Sequence, residues 1–133
     1  MAIIAGASPG SLVAKRASVL VVDDDPSHLK LYSLVLEGDG FVAVPLLVKS
    51  PPVALPNSAF DIAIVDYKLG LVKAVDVITE IRRVAVQAPI LLLTDMPWMP
   101  DDVKPLVSAF VRKGEPEQLI TSVSSLVGKR PRA

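Results

Sequence analysis

Four short apolar runs in this chain each end in residues that can do chemistry. Ile62 to Val65 stops at Asp66, and Val19 to Val22 stops at Asp23, Asp24 and Asp25. Ile90 to Leu93 stops at Thr94, and Ala109 to Val111 leads into Arg112 and Lys113. The four ends supply an acidic pair, an acid, a hydroxyl and an amine. A lone aspartate is a poor nucleophile toward a phosphoryl group, because both carry negative charge and must be neutralised and held in line. A hard divalent cation such as Mg2+ does this and takes oxygen ligands. Asp23, Asp24 and Asp66 offer carboxylates, and a backbone carbonyl of the following loop is a further candidate. Once attached, a phosphoryl group carries about two negative charges and three acceptor oxygens. The Thr94 hydroxyl and the Lys113 ammonium are natural partners for it. Taken alone, an aspartate ending a strand is more simply the cap of the next helix. The weight lies in the combination.

The elements that must position these residues follow from hydrophobic pattern. A continuous apolar run of this length suits a strand buried on both faces of a parallel sheet. In open α/β sheets, ligands bind beyond the carboxyl ends of such strands. After the first run, Asp25-Pro26 reads as an N-cap followed by proline at the first helical position, with the helix reaching about Glu37. Leu29, Tyr32, Val35 and Leu36 fall on one face, which Leu31 and Leu34 widen, and a stripe that broad is expected to be mostly core. Phe41 to Leu47 forms a second strand, and Pro45 assigns it to an edge. Pro51, Pro52 and Pro56 then permit only a short helical piece before Ile62.

The spacing predicts a helix over 72–84, with Leu71, Val75, Ile78 and Ile81 inward. Beyond Thr94, Asp101 or Asp102 caps a short helix to about Val107, which Pro105 limits. A last helix runs from Pro116 to Val127, with Leu119, Ile120, Val123, Leu126 and Val127 inward. Strand and helix alternate five times, which predicts a five-stranded parallel sheet with helices on both faces.

Composition narrows the function classes. The 133 residues fit one domain, expected over 18–128, with a loose extension over 1–17 and a basic tail over 129–133. Half the residues are hydrophobic (51%), yet no run approaches the roughly 18 apolar residues of a membrane span. Lys plus Arg and Asp plus Glu number 14 each, so bulk charge argues for neither DNA nor membrane binding. The absence of cysteine removes disulfides and thiolate chemistry, and the single His28 removes a histidine-rich metal site. Ile3 and Ile4 are too short a core for a signal peptide, which points to the cytoplasm. No glycine-rich phosphate loop follows any strand, which sets aside a nucleotide or flavin enzyme.

Over residues 18–128 the constellation resembles the receiver domain of two-component response regulators. The resemblance implies a flavodoxin-like, doubly wound (βα)5 fold with sheet order 2-1-3-4-5 and shortened second and fourth helices. It implies that Asp66 is the phosphoacceptor, that Asp24 is a direct Mg2+ ligand with Asp23 in the outer shell, and that the Lys68 carbonyl completes the protein ligands. Thr94 takes the place of the switch hydroxyl and Lys113 that of the phosphate-binding lysine. Phe110, three residues before the lysine, is either the switch aromatic or a plain core residue. The implied function is that of a single-domain, bacterial-type response regulator rather than an enzyme, although one expected to promote its own phosphorylation and dephosphorylation. It would take a phosphoryl group from a sensor histidine kinase or phosphotransfer protein. Output would be protein contact, homodimerisation included, or onward relay, with no DNA or membrane partner. The alternative is a degenerate receiver working as a phosphorylation-independent interaction module.

Three departures from the family pattern bear on that choice. Gly114 stands where receivers usually carry proline after the lysine, and Asp95 stands where a small residue usually follows the hydroxyl. The interval from Thr94 to Lys113 is also short, with the loss in the proline-rich region of the fourth helix. Within it, Met96-Pro97-Trp98-Met99-Pro100 is an odd loop for water. Trp98 there either plugs the core or forms part of an exposed patch.

Overall fold

The computed structural model describes residues 16–128. The expected tail over 129–133, and all of the expected extension except Arg16 and Ala17, lie outside them. Runs of β-branched and leucine side chains form β1 (Ser18–Asp23), β3 (Ile62–Asp66) and β6 (Ile90–Thr94), the buried centre of the sheet. The edges are β2 (Val42–Leu47) and β7 (Ala109–Arg112). All pairings in this sheet are parallel, and the spatial order is β2-β1-β3-β6-β7. This matches the expected order 2-1-3-4-5, and Pro45 lies on an edge strand where its missing N–H leaves no gap in the ladder.

The two-residue period of the strands divides the core in two. Val19, Val21, Ile62, Ile64, Leu91 and Leu93 point to one face. Against it pack Leu29 and Leu36 of α1 (Pro26–Gly38) and Leu119 and Val123 of α3 (Pro116–Gly128). Leu20, Val22, Ala63, Val65, Ile90 and Leu92 point to the other face, against Ala74, Val77, Ile78 and Ile81 of α2 (Ala74–Val84). Each fully buried Ile or Leu here is worth about 1.5–3 kcal/mol over leaving it in water.

Only one full helix covers that second face, and three expectations are corrected there. No helix, short or otherwise, forms between β2 and β3. Pro51, Pro52 and Pro56 lack N–H groups and push the residues before them out of the helical region. Val53, Leu55 and Phe60 pack on the core from an extended connection instead. The fourth helix is a single 3-10 turn, Lys104–Leu106, rather than a helix capped by Asp101 or Asp102. Val103 is buried beside it, and Leu106 and Val107 pack against the same core.

The third correction concerns the start of α2. Val72–Lys73 (β5) pairs antiparallel with Lys68–Leu69 (β4), so the helix begins only at Ala74. Gly70 makes the turn at φ +61°, where a Cβ would come within 2.6 Å of the Lys49 carbonyl oxygen. The neighbouring Leu71 N–H donates to that oxygen at 2.8 Å. Leu71 is 82% exposed, and the buried face of α2 is Ala74, Val77, Ile78 and Ile81, with Val75 partly buried.

On α1 the broad stripe is only partly core. Leu29 and Leu36 are buried, whereas Leu31 and Leu34 are exposed. Among the described residues no helix is long and apolar enough to cross a membrane.

Candidate functional site

A parallel sheet delivers the carboxyl ends of its strands to one edge. Val22 pairs with Val65, so Asp23 and Asp66 leave their strands at the same level, and Thr94 pairs with Arg112, one residue before Lys113. Asp66 is buried, and the Lys113 ammonium lies 2.9 Å from both of its carboxylate oxygens. The Lys68 N–H donates to Asp66 Oδ1 at 3.2 Å, while Lys68 itself is exposed on β4. Burial works against the charge on Lys113, but the hydrogen bond and charge of Asp66, with Asp23 beyond it, outweigh that and hold its pKa above the usual lysine range.

Asp23 is fully buried. Its Oδ1 accepts the Asp25 N–H at 3.0 Å, and its Oδ2 has no hydrogen-bond partner. Burial, reinforced by the negative charge of Asp66, pushes its pKa up to about 6 against the pull of the Asp25 N–H and of Lys113. Asp24 is half-buried beside it. Asp25 caps α1 as expected: its side chain accepts the Ser27 N–H at 2.8 Å.

Carboxylate oxygens of Asp23, Asp24 and Asp66 lie within 4.8 Å of one another. An all-oxygen donor set with one orphaned, buried oxygen fits a hard divalent cation such as Mg2+. Bound there, the ion would offset the mutual repulsion of the acids and neutralise charge arriving at Asp66.

Thr94 is buried, and its hydroxyl oxygen accepts the Met96 N–H at 3.0 Å. The Lys113 N–H donates to the Thr94 carbonyl at 3.0 Å, tying the two residues by backbone as well as by position. Asp66, Lys68, Thr94, Asp95 and Lys113 line a small cleft of about 40 Å3. Asp95 is exposed on its rim, and its carbonyl accepts from Arg112 at 3.3 Å. Gly114 has φ +85°, which proline, locked near −65°, cannot adopt, so the turn after Lys113 is built differently from a proline-bearing one.

The edge thus brings together Asp23, Asp24, Asp66, Thr94 and Lys113, while Phe110 is partly buried against the core under α2. Trp98 is 62% exposed, so it does not plug the core; Met99 packs there and Pro100 is buried.

Sequence reasoning missed two contacts. The Tyr67 hydroxyl donates to Asp102 at 2.9 Å, a long-range pairing that no local pattern announces. His28 sits one turn into α1, with Nδ1 3.6 Å from Asp23 and Nε2 3.6 Å from Asp25. Its place three residues past the cap was the signal, since positions three apart share a helix face. Beyond His28, Leu31, Tyr32 and Val35 of α1 face Pro116 and Leu119 across a mostly apolar groove of about 270 Å3 that ends at Lys113.

Several solved receiver domains share this fold. A CheY-like receiver domain protein from Methanospirillum hungatei JF-1 superposes with a TM-score of 0.73 at 16% identity, over 86% of this chain and 96% of that one. The chemotaxis response regulator CheY4 of Vibrio cholerae gives 0.72 at 20% identity, over 84% and 99%. The receiver domain of the Francisella response regulator 1452 gives 0.70 at 15% identity, over 86% and 98%. No protein-family model matches the sequence, and no curated protein does. The chain has the flavodoxin-like fold of response regulator receiver domains.

Proposed function

We propose that this chain is a response regulator receiver that accepts a phosphoryl group on Asp66. The donor is a phosphohistidine on a sensor kinase or phosphotransfer protein in the cytoplasm. One carboxylate oxygen of Asp66 attacks phosphorus, the bond from phosphorus to the histidine nitrogen breaks, and an acyl phosphate forms while the histidine leaves. Asp24 and Asp66, with the Lys68 carbonyl, would hold Mg2+, with Asp23 beside them, and the ion would supply positive charge against the incoming phosphoryl group. Lys113 moves from the Asp66 carboxylate to the phosphoryl oxygens, and Thr94 turns its hydroxyl toward them. Thr94 and Phe110 carry the change outward, to protein partners, to a second copy or to a further phosphotransfer step.

The observation that carries this reading is the Asp66 carboxylate itself. It is buried, bonded to Lys113 at 2.9 Å, and within 4.8 Å of two further carboxylates. Such crowding costs stability unless the site binds something, and pairs of this kind are typical of functional clefts. The fold likeness supports the same reading. The intact set of Asp23, Asp24, Asp66, Thr94 and Lys113 weighs against a phosphorylation-independent module.

Intact mass after incubation with Mg2+ and acetyl phosphate tests the proposal. The wild type should gain one phosphoryl group, lost on adding EDTA beforehand and absent in Asp66→Asn. An unmodified wild type, also inert toward a phosphorylated histidine phosphotransfer protein, would favour the module.

A further inference from the structure

His28 is the only histidine in the chain, and its ring stands between two carboxylates at the mouth of the acidic cluster. Two buried polar atoms there lack a hydrogen-bond partner: Nδ1 of His28 and Oδ2 of Asp23. The separation of 3.6 Å between Nδ1 and Asp23 Oδ1 is too long for a hydrogen bond. Leaving a buried polar atom unsatisfied is costly, so both call for a partner.

The chemistry of the pair says which partner. An ionised carboxylate only accepts hydrogen bonds, and a neutral imidazole offers one N–H and one lone pair. Each ring nitrogen lies 3.6 Å from a carboxylate, Nδ1 from Asp23 and Nε2 from Asp25, and with the N–H on Nε2 it is Asp25 that faces it. Nδ1 then turns its lone pair toward Asp23. Two acceptors facing one another require a molecule that donates twice. Water bound to a divalent cation is such a molecule: its oxygen is taken up by the metal and both protons point away. Mg2+ in particular keeps several of its waters when carboxylates bind it.

We propose that His28 is a positioning residue of the cation site, its Nδ1 accepting one proton of a metal-bound water whose other proton goes to Asp23. The imidazole does not touch the ion; it fixes the water, and through the water the outer-shell carboxylate. The site would accordingly prefer hard, strongly hydrated divalent ions. This rests on the cation site proposed above, and the experiment separates the two.

Calorimetric titration with MgCl2 at pH 8 would be run on the wild type and on His28→Leu, His28→Asn and Asp24→Asn. Asp24→Asn should lose binding, which locates the ion at this cluster. His28→Leu should bind about 10- to 100-fold more weakly, the usual effect of removing an outer-shell partner. His28→Asn, whose amide oxygen reaches the place of Nδ1, should recover most of that loss. In protein labelled with 15N at its single histidine, saturating Mg2+ should shift Nδ1 as its lone pair takes up a hydrogen bond, with the proton staying on Nε2. Unchanged affinity in His28→Leu, with binding lost in Asp24→Asn, would overturn the role of His28 and leave the cation site standing. Equal losses in Leu and Asn, or a protonated Nδ1 in the loaded protein, would also overturn it. No binding by the wild type, or full binding by Asp24→Asn, would remove the cation site and this inference with it.

Discussion

The Tyr67 hydroxyl donates to the Asp102 carboxylate at 2.9 Å and joins the residue after Asp66 to the turn beyond Trp98. At the other end of that segment, Met96 donates to the Thr94 hydroxyl oxygen at 3.0 Å. The loop carrying Trp98 is therefore fastened at both ends to residues that adjoin the cleft or line it. Tyr67→Phe removes one fastening. A single exposed hydrogen bond is worth about 0.5–1.5 kcal/mol, so global stability should fall by no more than that. Amide exchange over 95–103 should speed up while β3 stays protected. Equal acceleration in both would mean that Tyr67 supports the core rather than the loop.

Asp23 should make the metal-free protein less stable as pH rises. Its pKa in the folded state is about 6, raised from 3.8 by burial and by Asp66. Between those values the native state holds a proton that the unfolded chain has released, so stability falls as pH climbs through that window. At pH 8 both states are ionised and the whole penalty applies. Asp23→Asn should then be more stable than the wild type by about 1–3 kcal/mol without metal, and the gap should narrow toward pH 4. Urea unfolding at pH 8 and pH 4 measures it. A gap that is the same at both pH values would sink the assignment. Mg2+ should restore the wild type more than the variant.

Lys113 competes with any cation for Asp66. The ammonium lies 2.9 Å from both oxygens of that buried carboxylate, so an arriving ion must share them. Lys113→Ala strands a buried negative charge and should lower metal-free stability by about 1–3 kcal/mol, less than in a fully closed site because the cleft admits water. Mg2+ affinity should hold or rise, and the ion should recover part of the lost stability. Weaker Mg2+ binding in the variant would show that Lys113 organises the acids rather than occupying one of them.

The strands and the acidic edge were legible because both rest on local facts. Apolar runs of four residues end in Asp66, Asp23 and Thr94, and a parallel sheet gathers such ends at one edge. Asp25-Pro26 and Pro116 marked helix starts for equally local reasons. Where prolines break the pattern, periodicity says what cannot form and not what replaces it. Val53, Leu55 and Phe60 cover the sheet from an extended segment, and no spacing rule describes that. Leu71 was misplaced because the helical period was extended back to the residue after Gly70, whose positive φ and close approach to Lys49 make the turn of a hairpin instead. Tyr67 and Asp102 meet across a separation that sequence does not carry, whereas His28 lay within local reach, three residues past the cap.

The exposed Trp98 should report the state of Asp66. A phosphoryl group on Asp66 would draw the Thr94 hydroxyl toward its oxygens and away from the Met96 N–H that it now accepts. Met96 would lose a partner worth about 1 kcal/mol and the segment would resettle. Tyr67–Asp102 holds the far end, so movement would concentrate between Met96 and Pro100, where Trp98 lies. Trp98 is the only tryptophan, and 62% of it is open to solvent, so its emission reads that segment alone. Adding Mg2+ with beryllofluoride, a phosphoryl mimic, should change its emission maximum or its quenching by acrylamide. The change should vanish in Asp66→Asn and shrink in Thr94→Ala. In Tyr67→Phe it should persist with greater quenching, because the far fastening is gone. An unchanged spectrum in protein shown by mass to carry the modification would leave Thr94 without a path to this loop. Output would then have to pass through another surface, with the groove between α1 and α3 next in line.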